Sequence, residues 1–173
     1  IILTGSNMSG KSTFLRTLGV NLILARTGAP VCASHARLFP VDVLTSIQQS
    51  DSLNENESYF FAEVKRLKAI MDAASGKPVF ILLDEILRGT NSDDKRNGTM
   101  EVIRKLAAMH CYGIIATHDL EICNMATEYP RVLSNMCFEA EIKDNELYFD
   151  YKLREGVCRN KSATFLMKKM GII

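Results

Sequence analysis

Gly5-Ser6-Asn7-Met8-Ser9-Gly10-Lys11-Ser12 is the stretch that decides the fold. It fits G-x-x-x-x-G-K-[ST] in full and stands between an apolar strand, Ile1–Thr4, and a helix expected over Lys11–Thr27, the setting that the pattern requires. Glycine lets the backbone wrap closely round an anion, and consecutive N–H groups then face inward as a nest. The helix that follows directs the positive end of its dipole at the same place. Lys11 would bring a point charge to the β- and γ-phosphates of a nucleoside triphosphate, and the Ser12 hydroxyl would join a Mg²⁺ shell. The loop therefore predicts an ATP- and Mg²⁺-binding site at the end of the first strand.

Working outward, the next informative run is Val79-Phe80-Ile81-Leu82-Leu83, apolar without interruption and closed by Asp84-Glu85. A strand of this kind is buried on both faces, as in a parallel sheet, and its acids project from the carboxyl end, where ligands sit in open α/β sheets. Asp84 is placed to hold Mg²⁺ and Glu85 to orient or deprotonate an attacking water. His118 ends a further strand expected over Gly113–Thr117, where an imidazole can sense the γ-phosphate. Acids at a strand end also serve as plain helix caps, and a lone histidine is more often structural. Next to the loop, the catalytic reading of each outweighs the structural one.

The remaining elements alternate between strand and helix. Pro30–Ala33 and Leu44–Gln48 read as short strands, and Ser58–Ala74 as a helix with Phe60, Val64, Leu67, Met71 and Ala74 on one face. Ser92–His110 reads as a helix, Asp119–Ala126 as a short one, and Lys161–Met170 as the last. Cys137–Ile142 and Glu146–Leu153 alternate around Lys143-Asp144-Asn145, a hairpin signal. The expected fold is α/β of the P-loop NTPase type, a mostly parallel sheet flanked by helices with an antiparallel edge hairpin near the C-terminus, in one domain over 1–173.

Composition narrows the class. The 173 residues are 47% hydrophobic with a formal net charge of +1, enough for a substantial core and too balanced for a global pull toward nucleic acid or an acidic membrane. Cys32, Cys111, Cys123, Cys137 and Cys158 are scattered, with no C-x-x-C pair, which fits small buried hydrophobes in a reducing cytosol. No apolar run approaches the ~18 residues of a transmembrane segment. Lys152, Arg154, Arg159, Lys161, Lys168 and Lys169 against Glu155 make the end basic; a solvated helix face or a docking surface is expected there ahead of nucleic-acid binding. The chain opens directly on its first strand at Ile1, as an excised part of a longer protein would.

With these residues read, the chain resembles the ATPase domain of the MutS family of DNA mismatch-repair proteins. Thr4-Gly5-Ser6-Asn7-Met8-Ser9-Gly10-Lys11-Ser12-Thr13 is similar to that family's T-G-P-N-M-x-G-K-S-T. Ser58-Tyr59-Phe60-Phe61-Ala62-Glu63 resembles S-T-F-x-x-E, Asp84-Glu85-Ile86-Leu87-Arg88-Gly89-Thr90 resembles D-E-x-x-R-G-T, and Ala116-Thr117-His118 its A-T-H. Leu87 stands where the family commonly has glycine, and Asp119 where an aromatic is frequent.

The resemblance implies an ABC-type ATPase, in which two domains close head to tail around two nucleotides as a homodimer or a paralogous heterodimer. It implies that Asn7 and Thr13 join the nucleotide-binding loop, that Ser58 faces the partner's γ-phosphate, and that Arg88 to Asp93 cross the dimer interface. DNA would be gripped by domains upstream of this one. Other readings are a transporter or SMC-type ATPase, whose L-S-G-G-Q string this chain lacks, and a non-hydrolysing nucleotide-dependent module. The set Lys11, Ser12, Asp84, Glu85 and His118 argues against the latter. Mismatch correction and recombination are not separated by these residues.

Overall fold

The computed structural model describes residues 1–47, 59–109, 111–158 and 162–173. Along the chain β1 (Ile2–Gly5), α1 (Lys11–Arg26), β2 (Asp42–Ser46), α2 (Tyr59–Ala74) and β3 (Val79–Asp84) come first. They are followed by α3 (Ser92–Ala107), β4 (Cys111–Ala116), a 3₁₀ turn (Ile122–Asn124) and α4 (Met125–Glu128). The last are β5 (Asn135–Phe138), β6 (Ala140–Lys143), β7 (Glu146–Phe149), β8 (Arg154–Glu155) and α5 (Ser162–Lys169). They group into two compact units, Ser12–Ile115 and Ile1–Lys11 with Ala116–Ile173.

In the unit Ser12–Ile115, β3 lies between β2 and β4. β2 and β3 run parallel in a register from Asp42 opposite Val79 to Ser46 opposite Leu83. Val79, Ile81, Leu82 and Leu83 are fully buried, as the unbroken apolar run requires for a strand covered on both faces. Helices supply the cover. Gly19 of α1 approaches β3 so closely that a Cβ there would lie 3.0 Å from a Leu82 methyl. α3 is well specified at both ends: Asn91 caps it by accepting the Asp94 N–H at 2.9 Å, Asp93 and Asp94 fill its first turn, and Arg104 and Lys105 its last. The buried stripe of α2 is Leu67, Ile70 and Ala74. Val64, expected on that face, is 37% exposed, because the stripe follows Ile70 rather than the aliphatics either side of it.

In the other unit β1 pairs in parallel with β5, Ile2 opposite Asn135 and Gly5 opposite Phe138, and β8 pairs antiparallel with β5. The Thr4 hydroxyl donates to the Met136 carbonyl at 3.3 Å and accepts the Cys158 N–H at 3.0 Å, tying the closing segment to β1. The hairpin expected of Cys137–Ile142 and Glu146–Leu153 forms in part, as β6 and β7 with Lys143 opposite Glu146: Cys137 and Phe138 belong instead to β5, where they pair with β1, and the second arm ends at Phe149. Asp144 and Asn145 make its two-residue turn at φ 50° and 59°, the positive values that a hairpin of this length needs. The hairpin pairs within itself, and the antiparallel edge beside β5 is taken by β8.

Two expectations change. Pro30–Ala33 is not a strand: the Cys32 N–H goes to the Asn21 side chain at 2.6 Å and the Ala33 N–H to Val31 O at 3.0 Å, so local bonds replace a ladder. Asp119–Ala126 forms a 3₁₀ turn and one turn of α4 rather than a continuous helix. No helix among the described residues is long and apolar enough to cross a membrane.

The β3–β4 contact rests on Gly113, where a Cβ would lie 2.6 Å from Ile81 O and 3.2 Å from Ile81 Cβ. Gly113→Val therefore should destabilise the fold by about 1–3 kcal/mol, the usual cost of overpacking. Urea denaturation of the variant beside wild type measures it.

Candidate functional site

The glycine-rich loop is shaped by residues with unusual backbone. Met8 at φ 69° and Gly10 at φ 93° both lie in the left-handed region, and Met8 pays that strain while its side chain stands 74% exposed. Ser9 N–H closes a turn on Ser6 O at 3.2 Å. Gly5 cannot carry a side chain, because a Cβ would sit 2.5 Å from Ser9 Oγ. Lys11, at 6% exposure, lays its ammonium back over the loop and donates to Gly5 O at 2.7 Å and Ser6 O at 3.1 Å. The Ser6 and Ser9 hydroxyls are buried with no hydrogen-bond partner among the described residues. Two buried hydroxyls without a partner among the described residues and a buried cation make an arrangement suited to an anion. Asn7 and Thr13 are exposed, and Ser12 and Thr13 follow Lys11 in the first turn of α1.

His118 belongs to the same unit as the loop. Thr117, buried, donates its N–H to Leu3 O at 3.0 Å, so the chain meets β1 one residue before Thr4 and one residue before His118. The turn beyond is fixed by Asp119 N–H on Thr117 Oγ1 at 3.1 Å and Glu121 N–H on Asp119 Oδ1 at 3.0 Å. His118 itself is exposed at this junction.

Tyr151 is a residue that sequence reasoning missed. A Cβ on Gly10 would lie 3.1 Å from the Tyr151 ring, so the ring lies against the loop. Tyr151 holds φ 54°, stacks with Phe149 at 6.1 Å between ring centroids, and is flanked by an ion pair between Asp150 and Arg154 at 2.5 Å. The Arg154 guanidinium, with help from the Lys152 N–H, holds the Asp150 carboxyl far below the usual carboxylate range. The available signal was an aromatic just past a hairpin, too common a feature to single out.

The acids lie in the unit Ser12–Ile115. Asp84, the last residue of β3, is 4% exposed, and neither carboxylate oxygen has a hydrogen-bond partner among the described residues. A buried carboxylate left so is costly unless a cation compensates it. No cluster of three or more His, Cys, Asp or Glu able to hold a metal occurs among the described residues. One carboxylate with no protein cage suits Mg²⁺, which keeps its waters and takes the rest of its shell from phosphates. Glu85 follows at φ 47°, and its carboxylate forms an ion pair with the Arg88 guanidinium at 3.5 Å. Arg88 Nε also donates to Glu85 O at 2.9 Å, and Arg88 N–H to Glu63 Oε2 at 3.1 Å. The tie to Glu63 was missed too, although Glu63 closes one of the quoted motifs.

Ser58 lies outside the described residues. The basic end is partly neutralised, since Arg154 pairs with Asp150 and Lys169 with Glu146 at 3.4 Å. Cys123, Cys137 and Cys158 are buried as expected, whereas Cys32 is exposed. Burial pushes the Cys123 thiol up to about 11 and raises Cys137, so neither is a ready nucleophile.

An α/β domain with this loop after its first strand and an acid pair closing β3 defines a class, and comparison with known proteins narrows it. The family model MutS domain V matches residues 1–172. The chain is 33% identical over 169 residues to MutS protein homolog 4 of Homo sapiens, covering 94% of this chain and 18% of that protein. It is 32% identical to MutS protein homolog 4 of Mus musculus, covering 94% and 17%, and 34% identical to DNA mismatch repair protein MSH4 of Arabidopsis thaliana, covering 90% and 20%. The chain belongs to the MutS family. It spans about a fifth of the length of these relatives.

The Asp150–Arg154 pair generates a pH prediction. Because the folded-state carboxyl lies below its unfolded value of about 3.9, the pair stabilises fully above that value and is lost as pH falls through the folded one. The stability gap between wild type and Asp150→Asn should be constant above about pH 5 and shrink below about pH 4. Urea titrations across that range test it.

Proposed function

We propose that this chain binds ATP with Mg²⁺ and hydrolyses it, as the ATPase of a MutS-like protein that works on DNA. The observation that carries this reading is Asp84: a carboxylate buried to 4% exposure with both oxygens unpartnered among the described residues, in a chain that also holds a complete glycine-rich loop around Lys11. Lys11 offsets the β- and γ-phosphates, with Gly5 to Gly10 and Thr13 framing them. Asn7 contacts the nucleotide from within the loop. Ser12 and Asp84 hold Mg²⁺, which supplies charge neutralisation on the phosphates. Glu85 takes the proton of the attacking water, and His118 senses the γ-phosphate. The Tyr151 ring, against Gly10, offers a flat face on which a base can stack.

Catalysis in this reading is shared between two copies of the domain, in a homodimer or with a paralogue. A single loop surrounds the phosphates from one side, and charge developing on the γ-phosphate needs donors fixed beforehand. Ser58, immediately before α2 in sequence, supplies that donor to the partner's nucleotide. DNA contact, mismatch-directed or otherwise, belongs to other parts of the protein, since the similar relatives, one of them named a DNA mismatch repair protein, are about five times longer than this chain.

Lys11→Ala should abolish binding of a fluorescent ATP analogue, and Glu85→Gln should bind it normally while hydrolysis falls by roughly 10²-fold or more. Normal turnover by full-length Glu85→Gln would refute the assignment of the base. Sharing between copies is tested by mixing full-length Ser58→Ala with Lys11→Ala. In such a heterodimer one composite site loses both groups and the other keeps both, so activity should rise above either variant alone. A mixture that forms heterodimers and recovers nothing would place Ser58 within its own subunit's site or require both sites to act together.

A further inference from the structure

The segment from Glu85 to Gly89 is held in a conformation that it would not keep by itself. Glu85 at φ 47° and Leu87 at φ 61° both occupy the left-handed region, each at a cost of about 1–3 kcal/mol for a residue with a side chain. Such strain persists only where the surroundings over-determine it. Two ties do so within this unit. Arg88 folds back on the segment, its Nε on Glu85 O at 2.9 Å and its guanidinium 3.5 Å from the Glu85 carboxylate. The Arg88 N–H is then fixed from outside, by Glu63 Oε2 of α2 at 3.1 Å. The joint is close-packed as well. A Cβ on Gly89 would lie 2.7 Å from Phe60 Cβ and 3.2 Å from Phe60 Cα, so the segment rests directly on the first turn of α2.

We propose that Glu63 is a positioning residue for Glu85. By accepting the Arg88 N–H it fixes the turn through which Arg88 holds both the backbone and the carboxylate of the acid. The inference rests on the reading of Glu85 as the group that activates water. An acceptor oxygen at this reach satisfies the Arg88 amide from another element, so the tie resists the strain at positions 85 and 87. It also makes a mechanical connection. α2 begins directly after Ser58 in sequence, so a displacement of its first turns reaches the acid through Glu63 and Arg88. Loss of the tie leaves Glu85 chemically intact and misplaced, and a misplacement of about 1 Å costs on the order of 10²-fold in rate.

The test uses the full-length protein with four variants. Glu63→Leu removes the acceptor at similar volume, Glu63→Asp draws it back by one methylene, Glu63→Gln keeps an oxygen at the same reach, and Glu85→Gln is the reference for loss of the base. Expected are a kcat lowered roughly 10- to 100-fold in Glu63→Leu and Glu63→Asp. KM and affinity for the fluorescent ATP analogue should stay within about twofold, and Glu63→Gln should recover most of the rate. Amide hydrogen exchange at Arg88 should accelerate in the first two and not in Glu63→Gln. Undiminished turnover by Glu63→Leu beside an inactive Glu85→Gln would overturn the proposal and leave the ATPase reading standing. Equal loss in all three Glu63 variants would overturn it too, since the bond to Arg88 would not then be what matters. An active Glu85→Gln would instead overturn the reading on which the proposal rests.

Discussion

A buried lysine ammonium cannot be left without acceptors, and the glycine-rich loop is built around that requirement. Lys11 satisfies it locally, on Gly5 O and Ser6 O, which forces the loop to curl until both carbonyls face one point. Curling so tightly brings Ser9 Oγ where a Gly5 side chain would be and drives Gly10 into the left-handed region. The loop that shelters the cation also holds the buried Ser6 and Ser9 hydroxyls, which have no partner among the described residues.

Charge is managed differently at the end of β3. Two adjacent carboxylates leave the strand, and their environments separate them. Asp84 is the more buried and has no partner among the described residues, while Glu85 turns away on a left-handed backbone to meet Arg88. The left-handed backbone at Glu85 places its carboxylate against the Arg88 guanidinium, while the Asp84 oxygens have no partner among the described residues. The two acids therefore differ in surroundings although they are adjacent in sequence.

Much of this was legible in the sequence because the signals were local. The loop pattern and the unbroken apolar run of β3 each depend on neighbouring residues, and β1, α1 and β3 form close to where the sequence places them. What could not be read is what depends on distant partners. Pro30–Ala33 has the apolar look of a strand, but Asn21, eleven residues before Cys32, takes the donor that a ladder would need. Val64 sits at a helical spacing that suits a core, yet the face chosen by packing is that of Ile70. Tyr151 against Gly10 and Glu63 against Arg88 are contacts across long separations, with residue types too ordinary to announce them.

One departure from the family pattern becomes intelligible once the backbone is seen. Leu87 stands where glycine is common, and its φ of 61° explains the usual preference, since glycine alone takes that conformation without strain. Leucine is retained here at that cost, and it is buried, so it gains packing in return. The space comes from α3. Gly98 lies inside that helix, where glycine costs about 1 kcal/mol relative to alanine. Any Cβ at position 98 would lie 2.6 Å from a Leu87 methyl. The unfavourable helical glycine and the unfavourable left-handed leucine are therefore two halves of a single packing solution. Each looks like a defect by local propensity, and in this packing the two fit together. Restoring glycine at position 87 alone would relieve the turn and open a cavity beside α3, and adding a side chain at position 98 alone would force the Leu87 side chain to shift.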